Sequence, residues 1–278
     1  MGATIKALSN ELSQAMLVFF RNLFGLVALA PLILRYGRAH LATDVLHLHL
    51  LRAMAGVSAM YCFFYALAEL PLADAVLLKL TAPVFLPLIA LAWLREEVTA
   101  GARWAVLIGF VGVIMVLKPG LSTVSAAAVV GLLGGALAGF AKVAVRRLSR
   151  SEPTTRIVFY FGLIASLISA VPLTWDWQTP GVQQWGMLLL LGILATGGQL
   201  LLTTGYRLAP ASRVGPFTYA SVVFAAAYGY LIWGERLGWL DWLGALAIAL
   251  AGVLAVSGMP RLGWGRRPPP PRGQGVET

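Results

Sequence analysis

Residues 70–99 read LPLADAVLLKLTAPVFLPLIALAWLREEVT, and this stretch decides the fold of the chain. Its apolar part, residues 72–94, is about as long as a helix needs to cross roughly 30 Å of hydrocarbon. Lys79 lies inside this part, and Pro83 and Pro87 follow it at intervals of four residues. A charge and two residues that disrupt helices, all within one membrane-length run, are typical of a functional element in a membrane protein.

The composition of the whole chain also predicts an all-α membrane protein. Hydrophobic residues make up 59% and charged residues 12% of the sequence, whereas a soluble domain carries roughly 25% charge. The net charge of +10 does not favour nucleic-acid binding, because no basic stripe with interleaved aromatic residues is present. Lysine and arginine instead collect in the cytoplasmic loops of membrane proteins.

Apolar runs recur along the chain and are predicted to be spans. They cover residues 15–34, 53–68, 72–94, 104–117, 126–145, 157–175, 185–205, 212–233 and 239–256. Most arginines, among them Arg52 in a basic loop, then fall on one side of the membrane, and Lys142 falls on the same side. This bias places the C-terminus in the cytoplasm. The basic, proline-rich tail, residues 260–278, is predicted to be disordered.

The two halves of the chain repeat one plan. Pro71 aligns with Pro210 and Glu96 aligns with Glu235 at the same spacing. We therefore predict a first repeat over residues 1–120 and a second over residues 121–259. A unit of five spans ends on the side opposite to its start, so tandem copies are inverted relative to each other, which is a transporter architecture.

The first repeat is expected to be incomplete, because residues 6–9 align with the end of the span at 126–145. Two interpretations remain open. The true start lies further upstream, which we favour, or the chain has lost most of one helix. The fold prediction is thus a ten-helix bundle whose first helix is truncated.

Lys79 is the most informative candidate for substrate binding. A charge at this depth is costly and usually faces a bundle interior or a water-filled cavity. Pro83 and Pro87 lie on the same helix face and free backbone carbonyls, which need polar neighbours there. The alternative is that the lysine stem carries the amine to the membrane interface. A lysine facing the cavity favours a substrate with an anionic group.

Other polar side chains within the spans are also candidates. Arg21 either contacts substrate, closes an end of the pathway, or bonds a carboxylate or backbone carbonyls. Gln199 either lines the cavity or bonds another helix. Tyr61 and Tyr65 share a helix face and either pack or serve the substrate. In the second repeat the predicted contacts are Thr218, which is the counterpart of Lys79, with Tyr219 and Ser221; Gly215 and Pro216 are predicted to distort that helix.

The remaining titratable residues give weaker signals. Cys62 is the only cysteine, so neither an internal disulfide nor a Cys-based metal site is expected. His40, His47 and His49 cluster near a predicted membrane surface, and we interpret them as solvated loop residues and not as metal ligands. Glu96 and Glu235 are interpreted as contacts at helix ends.

Residues 70–99, with ARWAVLIGFVGVIMVLKPG at 102–120, resemble the first repeat of the EamA family in the drug/metabolite transporter superfamily. Residues 208–237, LAPASRVGPFTYASVVFAAAYGYLIWGERL, resemble the second repeat. The resemblance implies two inverted five-helix repeats in a bacterial inner membrane, which move amino acids, other metabolites or drugs by alternating access. The Gly-Glu pair of the family is Gly234-Glu235 here, whereas the first repeat has Arg95-Glu96.

We therefore expect a secondary transporter that exports or facilitates passage of a small metabolite, with no cofactor. The expected partners are the substrate and the lipid bilayer; a homodimer is left open and nucleic acid is not expected. No acidic residue lies deep in a predicted span, which favours uniport or exchange over proton coupling. The alternatives are a membrane-embedded enzyme, which would need converging catalytic groups, and a structural membrane protein.

Overall fold

The fold was analysed in a computed structural model that describes residue 8 and residues 11–37, 41–70, 72–117, 125–233 and 238–256. All regular structure in these residues is helical. The α-helices are α1 Gln14–Tyr36, α2 Leu46–Glu69, α3 Leu72–Lys79, α4 Ala82–Ile89, α5 Ala100–Leu117, α6 Ala126–Leu148, α7 Thr154–Ala170, α8 Val182–Leu208, α9 Ala211–Val214, α10 Ala220–Trp233 and α11 Trp239–Val256. Among the described residues, five helical segments are long and apolar enough to cross a membrane.

Helix α2 differs from its prediction, because it begins at Leu46 instead of near residue 53. His47, His49 and Arg52 are therefore helical and not in a loop. These polar side chains lower the local hydropathy. The start of the helix therefore cannot be recognised from apolar runs alone. Arg52 is only 3% exposed and His49 only 1%, so the added turns belong to the packed interior.

Both proline-containing segments are interrupted helices. In the first broken segment, residues 72–94, α3 ends at Lys79, α4 starts at Ala82, and a π-helical turn covers Ala90–Leu94. Proline has no N–H group to bond the carbonyl four residues back. The carbonyl four residues before Pro83 is that of Lys79, and beside it the Thr81 hydroxyl donates to the Leu78 carbonyl at 2.5 Å.

In the second broken segment, residues 211–233, the short α9 is followed by a 3-10 turn over Gly215–Tyr219 and then by α10. The turn contains Pro216, which cannot donate a backbone hydrogen bond. Gly234, Glu235 and the tail at 260–278 lie outside the described residues, so the predictions made for them receive no structural description here.

Helix α6 supports the first broken segment through a face of small residues. A Cβ atom on Gly134 would lie 2.8 Å from the Cys62 Cβ of α2. One on Gly135 would meet the Thr81 hydroxyl and would lie 2.6 Å from the Leu78 carbonyl oxygen. Glycines at these positions let the α6 backbone reach the break itself.

The final helices of the two predicted repeats, α5 and α11, also pack closely. A Cβ on Gly112 would lie 2.7 Å from the Gly244 carbonyl oxygen. Tyr219 fills the neighbouring space and is fully buried, with Leu80, Val113 and Val222 in the same apolar cluster. This cluster joins the first broken segment to the second, so both breaks lie within one packed region.

Candidate substrate site

Lys79 is directed towards neighbouring helices of the bundle. Its ammonium nitrogen lies 4.4 Å from the centroid of the Phe63 ring on α2, which is within the range of a cation–π contact. Lys79 is also close enough to Arg21 of α1 for their charges to repel. Because the side chain is exposed and still meets α1 and α2, its position fits a polar cleft between helices.

Lys142 connects this region to the second broken segment. Its ammonium group donates to the Thr218 hydroxyl at 3.3 Å, and its charge lies within range of Lys79. Lys142 was assigned to the cytoplasmic side by its charge and was not predicted to be a site residue. In the structure it lies in α6, Ala126–Leu148, and bonds a residue of the second broken segment.

Arg21 and Asn22 lie side by side in α1. An Arg21 Nη atom donates to the Asn22 Oδ1 at 3.4 Å and lies 3.7 Å from the sulfur of Met60. The Arg21 Nε and the Asn22 Nδ2 are buried and have no hydrogen-bond partner among the described residues. Arg21 thus bonds neither a carboxylate nor a backbone carbonyl within the described residues, unlike two of the predicted alternatives.

Arg52 is the functional candidate that sequence reasoning missed. It donates to the Gln199 Oε1 at 3.2 Å and to the Ile157 carbonyl at 3.4 Å, and its guanidinium carbon lies 4.1 Å from the centroid of the Phe161 ring. Gln199 therefore makes an interhelical bond, which was one of its two predicted roles. Arg52 is also in charge range of Arg21.

A small cavity separates α1 from α7 and α8. Its volume is about 20 Å³, and its lining includes Arg21, Asn22, Gly25, Thr196 and Gln199. The other predicted role of Gln199, lining a cavity, thus applies to this space as well. The cavity is large enough for one water-sized species.

The predicted tyrosines occupy different environments. Tyr65 is 47% exposed, whereas Tyr61 packs against the apolar cluster that contains Phe161. Tyr219 belongs to the cluster with Leu80 and Val113. The hydroxyls of Tyr61 and Tyr219 are buried and have no partner within the described chain. Ser221 is exposed and donates to the Thr218 carbonyl at 2.7 Å. Tyr65 and Ser221 are therefore the more accessible of these candidates.

Four cations, here termed the interior cations, lie among the helices of the bundle: Arg52 is buried, Arg21 and Lys142 are half-buried, and Lys79 is exposed in the cleft. In the described parts of the chain, none of them forms an ion pair with an aspartate or glutamate. Uncompensated charge in a low-dielectric bundle is unfavourable. The arrangement therefore suits an anionic binding partner.

Glu96 forms a separate structure at one end of the bundle, here termed the Glu96 clasp: Glu96, Arg146, Arg150 and the backbone N–H of Ala211. The carboxylate accepts from Arg146 at 2.7 Å, from Arg150 at 3.3 Å and from the Ala211 N–H at 3.1 Å. Arg146 also donates to the Tyr206 carbonyl at 2.8 Å. The clasp joins the end of the first broken segment to the start of the second.

The interpretation of the histidines as solvated loop residues is wrong for His49. This side chain is buried in α2, with its ring centroid 4.6 Å from that of Tyr160. His40 lies outside the described residues, and no group of three or more potential metal ligands occurs in the part of the chain that was searched.

Comparison with known proteins agrees with the helical architecture. The sequence model of the EamA-like transporter family matches residues 1–118 and 125–258. A solved crystal structure superposes with a TM-score of 0.78 over 91% of this chain and 92% of that chain, at 18% identity. This likeness concerns the fold alone.

Relatives with named activities are similar over most of their length. A pseudopaline exporter, CntI, of Pseudomonas aeruginosa is 36% identical, over 90% of this chain and 89% of the relative. A riboflavin transporter of Vibrio cholerae is 31% identical, over 81% and 77%. An S-adenosylmethionine uptake transporter of Rickettsia bellii is 25% identical, over 83% and 79%. The chain therefore belongs to the EamA-like transporter family and is a membrane transporter of small metabolites.

Proposed function

We propose that the protein exports a small metabolite with an anionic group, and that Lys79, Lys142 and Thr218 bind that group. The observation that supports this most is the group of four interior cations without a carboxylate partner among the described residues. An anionic substrate would supply the missing charge, and its binding would reduce the repulsion between Lys79 and Lys142. Export follows the exporter named among the relatives.

The proposed mechanism is alternating access between two inverted repeats, residues 1–120 and 121–259, in the bacterial inner membrane with the C-terminus in the cytoplasm. The two interrupted helices support it, since transporters of this type bind substrate at the midplane beside discontinuous helices. Tyr61, Tyr65, Tyr219 and Ser221 remain predicted further contacts. A ten-helix bundle, with the first helix supplied in part by residues before Gln14, completes the proposal.

A transport assay in proteoliposomes tests this proposal. Wild-type protein and Lys79→Ala would be compared over a panel containing organic acids, amino acids, pseudopaline, riboflavin and S-adenosylmethionine. We expect Lys79→Ala to reduce transport of an anionic substrate by tenfold or more, the equivalent of about 1.4 kcal/mol. Lys79→Arg should retain part of the activity because it keeps the charge.

The matched control is Arg103→Ala, since Arg103 is an exposed cation in the first turn of α5. This variant should transport at the wild-type rate. Equal transport by wild type and a folded Lys79→Ala across the whole panel would refute the role of Lys79. Transport confined to neutral substrates would refute the anionic class.

A further inference from the structure

We propose that the small cavity between α1, α7 and α8 is a binding site for a single monatomic anion, such as chloride. This site differs from the proposed substrate site at Lys79 and Lys142, and it does not depend on the identity of the transported metabolite. It gives Arg21 and Gln199 a role other than substrate contact.

Asn22 is the first group that points to an anion. Its side-chain oxygen accepts a hydrogen bond from Arg21. A guanidinium group can only donate hydrogen bonds, so the oxygen of the amide must face Arg21 and the NH₂ group must face away from it. Asn22 is 4% exposed, lines the cavity, and its Nδ2 has no partner in the part of the chain that the structure describes. A buried amide donor is thus available to a ligand.

Gln199 repeats this arrangement on α8. Its Oε1 accepts from Arg52 at 3.2 Å, so its NH₂ group is likewise the part left for other partners. Gln199 and Arg21 both line the cavity, and the Arg21 Nε is a further buried donor for which the described residues supply no partner. The oxygen of each side-chain amide therefore accepts a hydrogen bond from an arginine. The NH₂ group of each amide remains available to a ligand.

Charge and donor count favour an anion over a water molecule. A buried water typically makes about three hydrogen bonds, and it needs acceptors for its own two protons. The donors of Arg21, Asn22 and Gln199 offer it none, and among the lining side chains only the Thr196 hydroxyl has an acceptor that no arginine already uses. An anion accepts from all three, and it also offsets the positive charges of Arg21 and of Arg52, which lies behind Gln199.

The size of the cavity restricts the anion to a small one. A volume of about 20 Å³ is close to that of one water-sized species, and chloride is only slightly larger than water. Thr196 and Gly25 close the space further, because a Cβ on Gly25 would lie 2.5 Å from the Thr196 hydroxyl oxygen. Gluconate and metabolites that bear a carboxylate are too large to enter.

Thermal unfolding of the purified full-length protein in detergent provides the test, with sodium chloride titrated against sodium gluconate at constant ionic strength. We expect the unfolding temperature to rise saturably with chloride, by on the order of 5 °C when the site is nearly full. Bromide should act in the same way. An equal unfolding temperature in chloride and gluconate would overturn the proposal.

Variants at Asn22 give the site-specific readout. Asn22→Asp keeps the size of the side chain and the bond to Arg21 but replaces the donor with a repelling oxygen, so the chloride effect should disappear. Asn22→Leu should lose it as well. Gln183→Leu, a change of an exposed amide in the first turn of the same α8 helix, should retain it. A chloride effect that persists in a folded Asn22→Asp protein would contradict the site.

Crystals of the wild-type protein grown in bromide locate the ion without any variant. Anomalous density among Arg21, Asn22 and Gln199 would support the proposal, and bromide bound only elsewhere would overturn it. Acetate provides the last comparison. If acetate raised the unfolding temperature as chloride does and removed the bromide density, the cavity would be a carboxylate site and the monatomic assignment would be wrong.

Discussion

The two broken segments share a backbone plan but differ in chemistry. Each covers 23 residues, from 72 to 94 and from 211 to 233, and the restart of the helix after Thr81 corresponds to its restart at Ala220. Lys79 stands directly before the first break, whereas Thr218 stands at the corresponding position of the second. The hydroxyl of Thr218 accepts a hydrogen bond from Lys142.

This difference shows how a repeated framework can present similar charges from unlike sequences. The first segment carries its own ammonium group, and the second obtains one from α6. An alignment of the two halves places a lysine opposite a threonine, which suggests that only the first segment carries a charge. In the structure Lys142 supplies an ammonium group beside Thr218, so the difference is largely lost. The following changes act on the link between the two segments, then on the first break alone, and then on the second.

The largest effect is expected from Glu96→Ala, which removes the link between the segments. Arg146 would lose its carboxylate partner and the Ala211 N–H its acceptor. Loss of one partner from a largely buried ion pair costs about 3 kcal/mol, so the unfolding temperature in detergent should fall markedly. The adjacent Glu97→Ala is the control, because Glu97 is exposed. Similar unfolding temperatures for both variants would show that the clasp does not stabilise the bundle.

An intermediate effect is expected from Gly135→Ala, which disturbs only the first break. The new methyl group would collide with Thr81 and with the Leu78 backbone, and overpacking of this kind costs about 1–3 kcal/mol. Gly197→Ala provides the control, since nothing lies within 4 Å of its added Cβ. That change should be neutral or slightly stabilising. Thermal unfolding would measure both, and equal stability would contradict the close packing of α6.

Gly215→Ala extends this comparison to the second break. Its added Cβ would lie 3.3 Å from a methyl carbon of Leu86, a side chain that can move. We therefore expect a smaller loss than for Gly135→Ala, below about 1 kcal/mol. Thermal unfolding of both variants shows which loses more stability. A larger loss for Gly215→Ala than for Gly135→Ala would contradict this expectation.

The last change, Thr218→Val, acts on substrate affinity: it removes the acceptor for Lys142 and keeps the shape of the side chain. One partly buried hydrogen bond contributes about 1 kcal/mol, so a modest reduction in substrate affinity is the expected result. Thr218→Ser keeps a hydroxyl and should behave like the wild type. Transport measured over a range of substrate concentrations distinguishes the two. Equal values for valine and serine would show that the contact with Lys142 has no role.

The helical class and the helix positions were accessible from the sequence, because long apolar runs and proline positions are local properties. The span at Trp239–Val256 has the predicted bounds, and the prolines of residues 72–94 coincide with an interrupted helix. The family was likewise recognisable from residues 70–99 and 208–237. These features depend on neighbours in the chain.

The interior cations could be predicted only in part from the sequence, because their positions depend on residues that are distant in the chain. Arg52 lies near the start of α2, close to His47 and His49, and local hydropathy assigns such residues to a loop. Lys142 lies near the end of α6 and was assigned by its charge to one side of the membrane. Their burial depends on contacts with residues far along the chain, such as Gln199 and Thr218. Lys79 was recognised because apolar residues surround it in sequence.

Helix α6 brings the substrate region and the clasp together. Lys142 and Arg146 are four residues apart, so they lie on the same face of this helix. One bonds Thr218 and the other bonds Glu96. A rotation of α6 about its axis would therefore displace both contacts together, and it would couple the substrate region to this end of the bundle.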